Sequence, residues 1–164
     1  AILSTDQGKK QIGVAKMRKS LMTAALLVGS TVPAFAETIE IQLLNENEAG
    51  DRMVFSQELI RAEVGDVIRF IATDRSHNAQ SVKDAIPEGQ EAFRGRMNQD
   101  VEYIVTETGL TAVVCQPHES MGMVALIVVG DDLSNAQDIL DARIRGAGND
   151  KIVELIEEAR AAQS

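Results

Sequence analysis

The sequence predicts a mainly β fold, a Greek-key β-sandwich followed by two short C-terminal α-helices. Between residues 37 and 130, short segments alternate apolar and polar residues with period 2, which is typical of half-buried strands. Turn residues such as Gly50, Gly65 and Gly109 separate these segments, as in an antiparallel sandwich with Greek-key connections. After residue 130 the apolar period changes to that of a helix.

The first 36 residues are predicted to lie outside the folded domain. Residues 17–36 combine a basic start, a short apolar run and a terminal Ala34-Phe35-Ala36 site. This order is typical of a secretory signal peptide, with cleavage expected after Ala36. The apolar run is far shorter than the about 20 residues that a membrane span requires. Residues 1–16 are interpreted as an upstream segment without a fold.

Residues 37–164 are predicted to form a single domain, with the sandwich at about 37–130 and a helical tail at about 132–163. Residues 38–43 alternate clearly and form the first predicted strand. The segments on either side of the turn Gly65-Asp66 suggest a hairpin or a neighbouring strand pair. The polar segment 74–100 is expected to be irregular, and the remaining strands are predicted at 101–106, 110–114 and 124–129.

Two helices are predicted in the tail. The second has apolar residues at i, i+3, i+4 and i+7, which place them on one helical face: Ile152, Leu155, Ile156 and Ala159. A similar apolar face is formed by Ala136, Ile139, Leu140 and Ile144. Gly146 and Gly148 are expected to end the first helix and form the link.

Composition and charge argue against nucleic-acid binding and limit the role of the cysteine. The chain has 16 basic and 25 acidic residues; five of the bases and one acid precede residue 37, which leaves 11 against 24 and a formal net charge of −13. An acidic chain without tryptophan is a poor nucleic-acid binder. A single cysteine forms no internal disulfide, so in an exported protein the thiol is expected to be bound, buried or reactive.

Residues 113–123 concentrate the metal-binding chemistry of the chain. They contain the only cysteine, one of the two histidines and two of the six methionines. Thiolate, imidazole and thioether donors suit copper better than calcium or magnesium. The other histidine lies 38 positions before the cysteine. Two histidines, one cysteine and a distant methionine form the ligand set of a blue-copper centre, and the predicted ligands are His77, Cys115, His118 and Met123.

Two neighbouring residues are predicted to tune this site. Pro117 has no N–H group, which limits hydrogen bonding to the cysteine sulfur. Asn78 follows His77 directly and is expected to tie the two ligand-bearing loops together.

Other interpretations of the same residues remain open. Taken singly, a cysteine or a methionine is most often a packing residue in the core. An enzyme could use Cys115 as nucleophile with His118 or His77 as base, but no third orienting group is evident and Met123 is left unexplained. Zinc accepts cysteine and histidine, whereas a thioether is a poor zinc ligand.

The stretch Cys115-Gln116-Pro117-His118-Glu119-Ser120-Met121-Gly122-Met123 resembles the ligand loop of the pseudoazurins, a family of cupredoxins. The resemblance extends over residues 37–164 and includes Asn45, Gly65-Asp66 and residues 53–55, 74–78, 86–89 and 91–93. It implies a cupredoxin-like sandwich with one copper ion per chain and with Met123, rather than Met121, as the axial ligand. It also implies a periplasmic, non-enzymatic carrier of single electrons between redox proteins, with cytochrome-type donors and nitrite reductase as an acceptor. The resemblance places Met53 and Met121 in an apolar docking patch beside His118, the edge through which electrons pass.

The sequence departs from this family in its charges. Lysines commonly surround the docking patch of pseudoazurins, and the basic residues at comparable positions here are Arg75, Lys83, Arg94 and Arg96. Glu46 and Glu48 occupy a turn where lysine is usual, and Glu119 replaces an aromatic residue beside His118. Electrostatic steering depends on the local field, so a basic rim on an acidic protein remains compatible with an acidic partner. We expect the mature chain to be a monomer without a membrane span. Copper buffering or copper delivery is the alternative to electron transport as its function.

Overall fold

The structure, a computed structural model, describes residues 36–163. This part of the chain contains eight β-strands, β1 (Thr38–Glu46), β2 (Arg52–Phe55), β3 (Leu59–Ala62), β4 (Val67–Ile71), β5 (Gln80–Ser81), β6 (Val101–Ile104), β7 (Gly109–Val114) and β8 (Val124–Val129). A 3₁₀ turn (Glu119–Met121) lies between β7 and β8, and two helices follow, α1 (Ala136–Asp141) and α2 (Ala147–Ala161). The expected segment 1–16 and residues 17–35 of the expected signal peptide lie outside the described residues. No helix between residues 36 and 163 is both long enough and apolar enough to cross a membrane.

The strands form two four-stranded sheets, ordered β2-β1-β4-β6 and β3-β8-β7-β5. The predicted mainly β sandwich with two C-terminal helices is therefore confirmed. The expectation of an antiparallel sandwich is wrong for two strand pairs, because β1 runs parallel to β4 and β3 runs parallel to β8. A period of 2 shows which face of a strand is buried, but it carries no information on the direction of the neighbouring strand.

Strands β3 and β4 belong to different sheets, so the predicted pairing across Gly65-Asp66 is wrong. β3 pairs with β8, whereas β4 pairs with β1 and β6. The turn itself forms where it was predicted. The buried carboxylate of Asp66 accepts hydrogen bonds from the backbone N–H groups of Glu63 and Glu37, each at 2.8 Å. A turn pattern identifies a change of chain direction, and here the chain turns from one sheet into the other.

Two apolar clusters lie on opposite sides of the second sheet. One fills the space between the sheets and includes the stacked rings of Phe70 and Phe93, whose centroids are 5.5 Å apart. The other lies between the second sheet and the two helices. Every residue of β7 and β8 is therefore buried. Because each fully buried Val, Leu or Ile side chain contributes roughly 1.5–3 kcal/mol, these two strands form a firm base for the loop that joins them.

The helical tail covers the outer face of the second sheet. All four residues of the stripe predicted in α2 are buried, which confirms that prediction. α1 is shorter than predicted, since Ile144 is buried beyond its end. Asn135 anchors the start of α1, because its side chain both accepts from and donates to the backbone of Leu110 at 2.9 and 2.8 Å. Gly146 precedes α2 as expected, whereas Gly148 lies inside its first turn.

Candidate metal centre

The loop of residues 115–123 joins the two central strands β7 and β8, and its backbone is folded on itself. The N–H of Cys115 donates to the carbonyl of Met123 at 3.0 Å, and the N–H of Met123 donates to the carbonyl of His118 at 3.2 Å. The N–H of His118 donates to the carbonyl of Cys115 at 3.0 Å. The exposed Pro117 lies inside this turn and has no N–H group to contribute. These bonds hold three of the predicted ligand residues at one end of the sandwich.

His77 reaches the same end of the sandwich from the loop between β4 and β5. Its side chain is completely buried, and Nε2 lies 2.9 Å from Oδ1 of Asn45. The backbone N–H of Asn45 in turn donates to Oδ2 of Asp74 at 2.7 Å. A hydrogen bond to one ring nitrogen sets the orientation of the imidazole and leaves the other nitrogen available to a metal. In His77 that other nitrogen is Nδ1, which faces the ligand loop.

Two imidazole nitrogens and one sulfur lie at the corners of a small triangle. Sγ of Cys115 is 3.6 Å from Nδ1 of His77 and 3.5 Å from Nδ1 of His118, and the two nitrogens are 3.1 Å apart. A first-row metal ion binds imidazole nitrogen at about 2.0 Å and thiolate sulfur at about 2.3 Å, so donor atoms that share an ion lie about 3–4 Å from one another. The three measured distances fit that requirement. Met123 is fully buried at the end of the same loop.

Burial controls the charge of these donors. It lowers the pKa of His77, an effect that repulsion from His118 strengthens and the carboxylate of Asp74 opposes. Burial also raises the pKa of the Cys115 thiol, although the backbone N–H groups of Asn78 and His118 act in the opposite direction. A neutral imidazole offers its lone pair to a metal, and a bound cation offsets the thiolate charge that burial disfavours. The centre is therefore suited to a metal cation.

Asn78 joins the two loops that carry these donors. Its Oδ1 accepts a hydrogen bond from the backbone N–H of Gln116 at 2.8 Å, and its Nδ2 donates to the carbonyl of Gly95 at 3.2 Å. The side chain is buried. The bond from Gln116 links the His77 loop to the ligand loop, and the bond to Gly95 fixes the Asn78 side chain against the segment between β5 and β6. Both are to backbone groups, so neither depends on the identity of neighbouring side chains.

The residues expected at the docking surface differ in exposure. Met121 is 57% exposed, His118 and Met53 are half-buried, and Pro117 is exposed. The four residues of the expected basic rim are all exposed: Arg75, Lys83, Arg94 and Arg96. Arg94 also contacts the ligand loop, since its Nη2 donates to Oε1 of Gln116 at 3.4 Å.

Two polar contacts of the centre were not predicted as such. Asn45 belongs to the family pattern, but nothing in the sequence alone indicates that it binds His77. Glu119 is not a docking-surface residue: it is buried and paired with Arg145, which lies between the two helices. Glu119 and Arg145 lie 26 positions apart, and no periodic or local sequence pattern connects residues at that separation. The one indication in the sequence was that Glu119 replaces an aromatic residue of the family.

Comparisons with known proteins identify the family. Residues 41–130 match the sequence model of the copper binding proteins of the plastocyanin/azurin family. The chain is 47% identical to the pseudoazurin of Paracoccus pantotrophus over 112 residues, which cover 68% of this chain and 77% of the relative. It is 36% identical to the pseudoazurin of Methylorubrum extorquens over 115 residues, or 70% and 77% of the two chains. The crystal structure of native pseudoazurin from Hyphomicrobium denitrificans superposes with a TM-score of 0.69 at 32% identity, covering 74% of this chain and 97% of that one. The chain therefore belongs to the pseudoazurins, copper-binding electron carriers of the plastocyanin/azurin family.

Proposed function

We propose that this protein is a periplasmic blue-copper electron carrier whose single copper ion is bound by His77, Cys115, His118 and Met123. One observation carries the proposal, the triangle of two imidazole nitrogens and one sulfur with edges of 3.1–3.6 Å. When bound, copper supplies one-electron exchange between Cu(II) and Cu(I). A trigonal set of one thiolate and two imidazoles with a weak thioether suits both of these oxidation states.

The role of the protein is to keep the donors in place when the charge changes. His77, Cys115 and Met123 are fully buried, which excludes water from this side of the centre. Two asparagine side-chain oxygens hold the His77 loop at the end of the sandwich: Oδ1 of Asn45 accepts from His77, and Oδ1 of Asn78 accepts from Gln116. Donors that are already fixed need little rearrangement during electron transfer, and this keeps the transfer fast.

Electrons are proposed to enter and leave through His118. It is the one donor of the three in the triangle that is partly exposed, and the exposed residues Pro117 and Met121 lie beside it. An apolar surface around a partly exposed ligand allows close, short-lived contact with a redox protein. The basic rim that includes Arg94 favours an acidic partner, for which nitrite reductase is the proposed acceptor and a cytochrome-type protein the proposed donor.

The amino-terminal sequence supports the proposed export to the periplasm. Residues 17–36 are proposed to be the cleaved signal peptide, and residues 37–164 the mature single domain. The mature protein is proposed to act as a monomer without substrate turnover.

Optical and EPR spectra of the oxidised, copper-loaded protein test the ligand set. The wild type is expected to show an intense visible band from charge transfer between the Cys115 sulfur and Cu(II). Cys115→Ser is expected to abolish the band, whereas Met97→Leu, which changes an exposed methionine outside the loop, leaves it unchanged. A spectrum that survives Cys115→Ser contradicts the proposal.

Copper buffering or delivery would use the same residues and differs in how readily the ion leaves. A carrier retains its ion, and three fully buried ligand residues favour retention. The rate of copper loss to a mild chelator separates the two functions. Slow loss is expected, and rapid loss would assign the protein to copper delivery.

A further inference from the structure

The outer side of the ligand loop is bound by the segment that connects the two helices. Oε1 of Glu119 accepts a hydrogen bond from the backbone N–H of Arg145 at 2.9 Å. Oε2 of Glu119 accepts from Nε of Arg145 at 2.8 Å and lies 2.7 Å from Nη2. The same Nη2 donates to the carbonyl of Gln116 at 3.1 Å. A single arginine therefore contacts the loop on both sides of His118.

The burial of Glu119 makes this contact more than a surface ion pair. Its side chain is only 9% exposed, whereas that of Arg145 is 64% exposed. A carboxylate at this depth is stable as an ion only when its oxygens are paired and hydrogen-bonded. Arg145 pairs with both oxygens: its guanidinium nitrogens Nε and Nη2 meet Oε2, and its backbone N–H meets Oε1. This arrangement fixes geometry as well as charge. Removal of Arg145 would leave a buried charge beside a proposed copper ligand.

Two glycines allow the tail to approach the loop closely. A Cβ atom at Gly146 would lie 2.7 Å from the carbonyl oxygen of Ser120, and one at Gly148 would lie 2.5 Å from the carbonyl oxygen of Glu119. Both distances are shorter than real Cβ contacts allow, and both obstacles are backbone atoms. The beginning of α2 is therefore in backbone contact with the turn that follows His118, which is an observation independent of the ion pair.

We propose that Glu119 and Arg145 are positioning residues of the copper centre and that the helical tail, through them, holds the turn bearing His118 in its metal-binding conformation. The proposal rests on the ligand set proposed above and assigns the tail a role in that site. The second sheet fixes the loop at Cys115 and Met123, the two positions nearest the strands. The Glu119–Arg145 pair supplies support at the outer end of the loop, on the carboxyl side of the half-buried His118, whereas the bond from Gln116 to Asn78 lies on its amino side.

Amide hydrogen exchange of the metal-free protein tests the proposal directly. The informative N–H groups are those of Met121, Gly122 and Met123, which donate to the carbonyls of His118, Glu119 and His118. Arg145→Gln is expected to speed their exchange by at least about tenfold, the factor that corresponds to loss of one charge-assisted hydrogen bond. The N–H of Leu126 in β8 is expected to exchange as in the wild type. Arg145→Lys keeps the charge but not the fork, so it should give an intermediate effect; it also replaces Arg145→Gln if that variant does not fold.

Glu58→Gln is the matched control. It removes the ion pair between Glu58 and Lys151 of α2, which are 3.1 Å apart, and Glu58 makes no polar contact with residues 115–123 among the described residues. Loop exchange is expected to stay at the wild-type rate in this variant. Equal acceleration of loop exchange in Glu58→Gln and Arg145→Gln would overturn the proposal, because the Glu119–Arg145 pair would then act only by attaching the helical tail to the sandwich. Unchanged loop exchange in Arg145→Gln would also overturn the proposal.

A second measurement connects the pair to the metal. In the copper-loaded protein, Arg145→Gln is expected to alter the relative intensities of the visible charge-transfer bands and to release copper to a chelator faster, whereas Glu58→Gln retains the wild-type spectrum and rate. A wild-type spectrum and release rate in Arg145→Gln would refute a role at the metal. Absence of the visible band in the wild type would instead refute the ligand set, while the exchange data on the metal-free protein would still decide the role of the pair in the loop.

Discussion

Asn45 orients His77 from the side opposite the ligand loop, with Oδ1 of the asparagine 2.9 Å from Nε2 of the histidine. Asn45→Ala removes this acceptor, so the ring loses the bond that fixes its orientation. Loss of such a partner weakens metal binding by about 10- to 100-fold, and about tenfold is expected here because Asn45 is solvent-exposed. Competition with a chelator of known affinity measures the effect. Glu48→Gln, in the turn that follows β1, is the control, and equal affinity in both variants would show that Asn45 does not support the site.

Met123→Leu tests the axial position. The exchange conserves volume in the buried core, so the fold is expected to survive. The visible band should remain, because the thiolate that produces it is unchanged. The reduction potential should rise, since a thioether donor stabilises Cu(II) more than a hydrocarbon does. Voltammetry measures the reduction potential of Met123→Leu against that of the exposed-residue control Met97→Leu. Equal potentials would remove Met123 from the ligand set.

The basic rim predicts a dependence on salt. Electron exchange with an acidic redox protein should slow as ionic strength rises, because charges about 10 Å apart are largely screened at about 0.1 M salt. Arg94→Gln should lower the rate a few-fold at low salt, as it removes one of four charges from a steering effect of about 10- to 1000-fold. Arg61→Gln makes the same charge change on the exposed face of β3. Stopped-flow rates that are equal in the two variants would exclude steering by the rim.

Tyr103 predicts how stability changes in alkaline solution. Burial raises the pKa of its phenol to about 12, against the opposing hydrogen bond from Thr111 at 2.9 Å. In the unfolded chain the phenol ionises near its ordinary pKa of 10.0. The contribution of the neutral, buried phenol to folding stability is therefore complete below pH 10 and is lost as the pH rises towards 12. The loss amounts to about 2–3 kcal/mol at most.

One side chain reports this titration, since the chain has a single tyrosine and no tryptophan. Tyrosinate absorbance should appear well above pH 10 in the folded protein and near pH 10 in urea. Tyr103→Phe should lower stability at neutral pH, because the buried Thr111 hydroxyl loses its partner. Between pH 10 and 12 its stability should then fall by less than that of the wild type, since the remaining change comes from other groups such as Lys151, whose pKa is raised by its bond to Glu58. Tyrosinate formation near pH 10 with the fold intact would contradict the assignment.

The alternation and periodicity of the sequence were sufficient for much of the fold. Ile41 and Leu43 are buried on one face of β1, as the period of 2 predicts, and the α2 stripe at Ile152 and Leu155 is buried as the helical period predicts. These patterns succeed because each depends on geometry within one element. The pairing of β3 with β8 was not predicted, because these strands are separated by more than 60 positions and the sequence of neither strand indicates its partner.

The sequence by itself determined the chemistry of the centre, because a lone cysteine, two histidines and a loop methionine already define a soft-donor set that suits copper. It also determined the fold class and the family. Only the tertiary structure decided how those donors are supported: Asn45 behind His77, and Arg145 against the buried Glu119. The physical reason is that donor identity belongs to single residues, whereas support comes from distant segments that meet only after the two sheets and the tail have packed.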